Sequence, residues 1–283
     1  MLGALKMKYK LFGLFFAIVL LVGCDFNSYA NTSILRSDSN RGPWMDTVDE
    51  SARGYAYKRV SGFARKGPTS LRFELRSGDC YTAYPLQPTS GWDDCTRDRE
   101  RTEVREKWTA MWDYDIWYAI SIFIPEDYNF LYPKQIIFQW HRGKQPIAYL
   151  KLERDNLKFD ILTRLGESTS IYDLGNVTKQ NYTGKWIDLL WKANWSVDDT
   201  GYIKMWINNG LVIDHKGPTT DKEKGKCRAS NGNCGPFVKY GIYRSHLFRY
   251  EFGDELPTQI LFFDEYRRGK TREDVDIDNN EGS

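Results

Sequence analysis

The chain is predicted to be all-β, with two packed antiparallel sheets forming a sandwich or jelly roll, and three observations carry that expectation. Apolar residues recur with a period of two along most of its length, the spacing that sends alternate side chains to opposite faces of a strand. The segments between these runs are short and rich in Asp, Asn and Gly, the residues that tight turns require. Beyond the first 23 residues, no stretch of a dozen shows helical periodicity. With 283 residues, 41% hydrophobic and 15% aromatic, there is material for one sizeable core between two sheets.

The elements follow in order. Leu71, Phe73 and Leu75 alternate with Arg72, Glu74 and Arg76, and Ile116–Ile124 runs as a strand until Pro125 stops it. Ile147–Leu152 and Leu157–Leu162 flank Arg154-Asp155-Asn156, a hairpin turn. Trp186–Trp195, Tyr202–Ile207 and Leu211–His215 are separated by Asp198-Asp199-Thr200-Gly201 and by Asn208-Asn209-Gly210, both good turn chemistry. Ile260–Tyr266 is expected to be a closing strand. No internal repeat or linker interrupts 46–275, so residues 46–283 are expected to form a single domain.

Residues 1–23 are an address. Lys8 and Lys10 precede an apolar run from Leu11 to Val22, too short for a comfortable membrane span and right for a signal-peptide core. The run ends in Leu21-Val22-Gly23-Cys24, which resembles the lipobox of bacterial lipoproteins, so Cys24 is the expected lipidation site. Cleavage after Ser28-Tyr29-Ala30 is the alternative, and it would release a secreted protein. The polar, turn-rich residues 24–45 then read as a tether. The expected location is the periplasm or cell surface, with the membrane reached through the lipid.

Without those 23 residues, the basic count falls from 40 to 37 against 38 acidic residues. A general nucleic-acid binder carries a large cationic surplus, so none is expected as a partner. An anionic ligand must instead meet a local cluster of cations. Setting Cys24 aside, Cys80, Cys95, Cys227 and Cys234 remain, an even number in an exported chain. Three pairings are open; sequence distance favours Cys80 with Cys95 and Cys227 with Cys234. No C-x2-C or H-x3-H spacing occurs, which argues against zinc.

Three strands carry unusual polar sets. In Arg101-Thr102-Glu103-Val104-Arg105, the two arginines and Glu103 share a face at spacings of about 7 Å. In Ile136–His141, Gln139 and His141 face one way and Phe138 and Trp140 the other. In Val238–Tyr243, Lys239, Gly241 and Tyr243 fall together. If the three strands are neighbours, their outer face forms a groove floored by cations, Gln, His and Tyr, with Glu103 bracing the arginines. That set suits β-elimination in a uronic-acid polysaccharide. The proton at C5 becomes acidic only once the neighbouring carboxylate is neutralised, which Arg and Gln can do without titrating. A His with a pKa of about 6.5 can serve as base, and a Tyr lowered by adjacent cations can take or give a proton. The reaction in principle requires no metal or cofactor, and the sequence neither requires nor excludes a structural Ca2+.

The blocks RTEVR (101–105), QWH (139–141) and KYGIY (239–243) resemble the R-[ST]-E-L-R, Q-[IV]-H and K-A-G-x-Y blocks of family 7 alginate lyases. Their context, WYAISIFIPEDY (117–128), KWIDLLWKANWS (185–196) and MWINNG (205–210), is closer to the heparin lyase I and glucuronan lyase group, which shares the β-jelly roll. The resemblance spans residues 70–268. It implies a concanavalin-like sandwich with a concave groove, and an acidic polysaccharide as substrate. It makes Tyr243 the proton donor to the leaving oxygen, His141 the base or charge neutraliser, Gln139 the carboxylate-binding glutamine, and Arg105, the second arginine of its block, a further member of the catalytic set. Arg101, Glu103, Lys239, Trp140 and Arg244 are expected to line the substrate. Tyr240 in place of a small residue, Val104 in place of Leu, and Arg244-Ser245 in place of Asn-Gln bear on which uronate is taken.

Other readings compete. His215 and His246 have no such partners and are taken as structural. Trp112, Trp117 and Trp140 can stack on sugar rings, but tryptophans in a sandwich commonly belong to the core. The long basic loop Lys216–Pro236 is either a disulfide-stiffened lid beside Tyr243 or a plain surface insertion. A jelly-roll glycoside hydrolase would carry two carboxylates on one face, as in E-x-D-x-x-E, and a serine hydrolase would carry G-x-S-x-G; neither occurs. A carbohydrate-binding sandwich would use the same groove but needs neither His141 nor Tyr243. The expected molecule is a monomeric, exported polysaccharide lyase.

Overall fold

The computed structural model describes residues 45–47, 53–81, 93–106, 109–131, 134–143, 145–164, 167–221, 235–250 and 255–278. Cys24, Cys227, Cys234, the leader and most of the Lys216–Pro236 loop lie outside them. The strands are β1 (Met45–Thr47), β2 (Tyr57–Ser61), β3 (Thr69–Leu75), β4 (Arg99–Glu106), β5 (Asp115–Phe123), β6 (Lys134–Arg142) and β7 (Gln145–Glu153). They continue with β8 (Asn156–Ile161), β9 (Ser170–Asn176), β10 (Trp186–Asn194), β11 (Tyr202–Ile207), β12 (Gly210–Lys216), β13 (Phe237–Ser245) and β14 (Gln259–Gly269).

Two seven-stranded antiparallel sheets result, ordered β1-β4-β13-β6-β7-β8-β9 and β12-β11-β10-β5-β14-β3-β2. The all-β jelly-roll expectation holds. At the β11–β12 turn, Asn208 and Asn209 take φ of 47° and 68°, the left-handed pair that a two-residue hairpin of matching twist demands. Arg154 sits at φ 56° in the β7–β8 turn. Three strands carry no clear alternating signal, β1, β2 and β9; all are sheet edges, and no side chain of β2 or β9 is fully buried. The expected closing strand, now β14, lies between β3 and β5 inside its sheet.

The core fills the space between the sheets. Phe73, Leu75, Tyr118, Ile120, Phe138, Trp140, Trp191 and Phe263 are each at most 1% exposed, and burying one such side chain contributes about 1.5–3 kcal/mol. Trp140 packs edge-on against Trp191 with centroids 5.0 Å apart, so it is a core residue and does not line the substrate. Arg244 also departs from expectation. It is wholly buried, bonded to Glu100 and 2.7 Å from the Pro257 carbonyl, because the residue after Tyr243 points to the inner face.

The three polar strands are adjacent. β13 pairs with β4, setting Lys239 opposite Arg105 and Tyr243 opposite Arg101. It pairs with β6 on its other side, setting Lys239 opposite Gln139. A bulge between Tyr240 and Tyr243 is absorbed at Gly241, which has φ +137°. A Cβ there would lie 2.2 Å from the Thr102 carbonyl oxygen, so this position admits only glycine.

Candidate active site

Five of the expected residues converge in two rows on the outer face of the first sheet. Arg105, Lys239 and Gln139 form one row across β4, β13 and β6, and Arg101 and Tyr243 form another. Glu103 lies between the rows on β4, and His141 lies two residues beyond Gln139 on β6. The site sits away from the core, yet Arg101, Glu103, Gln139, His141 and Lys239 are all buried. Arg105 is exposed and Tyr243 partly so, which leaves the recess open at those points.

Hydrogen bonds order this set from the inside outward. Arg101 is held by Asp94, with one contact at 2.7 Å, and by Glu103 at 3.2 Å. Glu103 accepts a further hydrogen bond from the Gln139 amide nitrogen. The amide oxygen of Gln139 therefore faces His141 Nε2, at 2.8 Å, and an oxygen there requires the ring to carry its proton on Nε2. Nδ1 is left with a lone pair. That atom is buried without a hydrogen-bond partner of good geometry among the described residues.

The charges divide into bound and free. Arg101 is occupied by two carboxylates. Lys239 and the exposed Arg105 have no ion pair among the described residues. Three cations against Asp94 and Glu103 leave one positive charge for an incoming anion.

Burial dominates the protonation states. It pushes the His141 pKa well below 6.5, and the nearby Lys239 and Arg101 charges push the same way, with the Gly143 backbone acting weakly against them. The ring is neutral at physiological pH. Burial also lowers Lys239, aided by Arg101 and Arg105 and opposed by Glu103 and Asp94, to about 8. Tyr243 reverses the expectation of a lowered phenol. Arg101 and Arg99 do lower it, but burial outweighs them and raises it to about 12. Tyr243 is thus a protonated donor, its ring held against Arg101 with the guanidinium carbon 4.5 Å from the centroid.

The structure adds residues that the sequence reading passed over. Asp94, which clamps Arg101, follows no strand pattern and adjoins Cys95, whose disulfide to Cys80 fixes that segment. On the far side of Tyr243, Lys134 lies 3.5 Å from the Tyr149 hydroxyl, and Lys151 pairs with Asp160 at 3.0 Å. Tyr149 and Lys151 alternate with core residues Leu150 and Leu152, a signal that could have placed them on the groove face. Among the described residues, no group of three or more His, Cys, Asp or Glu could hold a metal ion.

A neutral imidazole, a protonated phenol and two cations with no ion pair among the described residues thus share one face, a set that can move a proton and hold an anion. Residues 26–267 match the family described as Polysaccharide lyase, most of the chain, and the chain belongs to that family. Among solved structures it is similar to an endo-β-1,4-glucuronan lyase from the fungus Trichoderma reesei. That likeness has 18% identity and a TM-score of 0.64, covering 87% of this chain and 98% of the other. It is also similar to an alginate lyase from Pseudomonas aeruginosa at 16% identity and a TM-score of 0.47, covering 77% and 86% of the two chains. The glucuronan lyase likeness supports the jelly-roll fold. No curated protein matches the sequence significantly.

Proposed function

We propose that this chain cleaves a uronic-acid-containing polysaccharide by β-elimination. The observation that carries this is that Arg105 and Lys239, which have no ion pair among the described residues, share a row with Gln139 that lies along the strands between His141 and Tyr243. The substrate carboxylate binds Arg105, Lys239 and the second N–H of Gln139. Its neutralisation makes the C5 proton removable. His141 Nδ1 takes that proton, the C5 electron pair forms the C4=C5 double bond, and the C4–O bond breaks. Tyr243 donates its proton to the departing oxygen and is reprotonated from solvent.

The hydrolase alternative needs a free pair of carboxylates, and on this face Asp94 and Glu103 are both committed to Arg101 and Gln139. Incubation with polyglucuronate, alginate, heparin-type and capsular polymers tests the reading. An unsaturated product absorbing in the ultraviolet is expected from at least one. Binding across the panel without such absorbance would replace it with the carbohydrate-binding reading.

The chain is further proposed to be exported and anchored through a lipid on Cys24. The basic leader and the cysteine at the end of its apolar run support this, as does the Cys80–Cys95 disulfide, which belongs to an oxidising compartment. Radiolabelled fatty acid should enter the wild type and not Cys24→Ser; equal labelling would contradict it.

A further inference from the structure

The opposite face of the sandwich carries a second cluster that the catalytic groove does not use. β5, β10 and β11 are consecutive in the second sheet, and an outward residue of such a sheet is ordinarily polar. Here Trp117 on β5 and Trp206 on β11 bridge over β10. Their rings are 5.7 Å apart between centroids and 17° from parallel. Lys192 on β10 places its ammonium 5.8 Å from the Trp117 ring and 5.3 Å from the Tyr202 ring. These side chains, with Lys204, Lys216 and the carboxylates of Asp115 and Asp199, line a cavity of about 600 Å3, within the ~300–1,000 Å3 typical of small-ligand sites.

Packing accounts for only part of this cluster. Trp117 covers a small apolar group of Ala119, Val275 and Ile277. Trp206 is partly exposed and belongs to no core cluster; it rests on Trp117 and faces Arg272 at 6.0 Å. An aromatic ledge kept in water, beside a lysine with no ion pair among the described residues (Lys216, exposed), marks a binding surface. Flat indoles suit the C–H faces of pyranose rings, and Lys216 suits a carboxylate on the same chain, while Lys192 and Lys204 are already paired with Asp115 and Asp214.

We infer that the Trp117–Trp206 ledge is a second, non-catalytic binding site for an acidic polysaccharide. The inference rests on the polyuronate reading of the groove. Because the two sites face away from each other across both sheets, about 10 Å apart at their backbones, the ledge does not position the scissile bond. It retains long chains near the enzyme by giving them a second point of attachment.

Electrophoresis through gels containing polyglucuronate or alginate tests the ledge, with Tyr243→Phe as an inactive background. Adding Trp206→Ala or Lys216→Glu should weaken retention about three- to tenfold. In the active enzyme, the same changes should raise KM for the polymer by a similar factor and leave turnover of short oligosaccharides unchanged. Retention indifferent to both substitutions, in an enzyme that cleaves the polymer, would overturn the ledge. Retention that depends on Trp206, in a wild type that cleaves none of the polyglucuronate, alginate, heparin-type and capsular polymers, would support the ledge and sink the catalytic reading instead.

Discussion

His141 holds its Nε2 2.8 Å from the amide oxygen of Gln139, two residues earlier on the same strand. Because that amide is turned by Glu103, which reaches it from β4 across the intervening β13, a carboxylate that never touches the ring decides which of its nitrogens bears the proton. Nitrogen NMR should therefore find the His141 proton on Nε2 and Nδ1 bare. In Gln139→Leu the two tautomers should mix and kcat/KM should fall on the order of 10²–10³-fold, within the range of general acid–base effects. A wild-type ring protonated on Nδ1 would contradict this arrangement.

In the proposed elimination Tyr243 donates the proton, so Tyr243→Phe should lower kcat by about 10²–10⁴-fold with KM little changed. Near-normal turnover would remove the phenol from the chemistry. A rise in KM with kcat intact would reassign it to binding.

The pH profile follows from two buried groups. In the proposed reaction Lys239, with a pKa of about 8, binds the carboxylate only when protonated, so kcat/KM should decline as pH rises through about 8. In Lys239→Arg, whose cation does not titrate in this range, that limb should move upward. On the acid side, His141 stays neutral below the usual imidazole value, so activity should hold through pH values near 6.5. The same shift costs stability in acid: the unfolded ring takes up a proton near 6.5 that the folded ring refuses, so stability is lost as pH falls below that value. An unchanged alkaline limb in Lys239→Arg would detach Lys239 from substrate binding.

The Cys80–Cys95 bond closes a loop with a separation of 15 residues, for which chain entropy predicts about 3 kcal/mol. Cys95→Ser should lower the denaturation midpoint accordingly. It should also reduce activity, because Asp94 is tethered by that bond and Asp94 holds Arg101 against Tyr243. Full activity at reduced stability would show that the clamp survives without the disulfide.

Much of the groove was legible because strands keep one face per parity. Arg101, Glu103, Gln139 and His141 were placed together by counting residues, and β6 and β4 obey the count where it mattered. Strand adjacency was not readable in this way: β4 and β13 lie more than a hundred residues apart, and only the blocks' resemblance to known lyases suggested that they meet. The pKa of Tyr243 was misjudged because sequence shows neighbouring cations but not burial, and burial is the larger effect. Trp140 and Arg244 belong to the same motif blocks as His141 and Tyr243 but not to the groove, because adjacent positions on a strand face opposite ways. Asp94 carried no periodic signal, since it lies in a short turn held by a covalent bond.

The chemistry itself is tested most directly by running the cleavage of a polyuronate in heavy-oxygen water and weighing the products. Elimination breaks the C4–O bond without adding water, so each new non-reducing end should be one water lighter than a hydrolytic product and no heavy oxygen should be incorporated at the cleaved bond. Products of full mass carrying solvent oxygen would show hydrolysis and contradict the account.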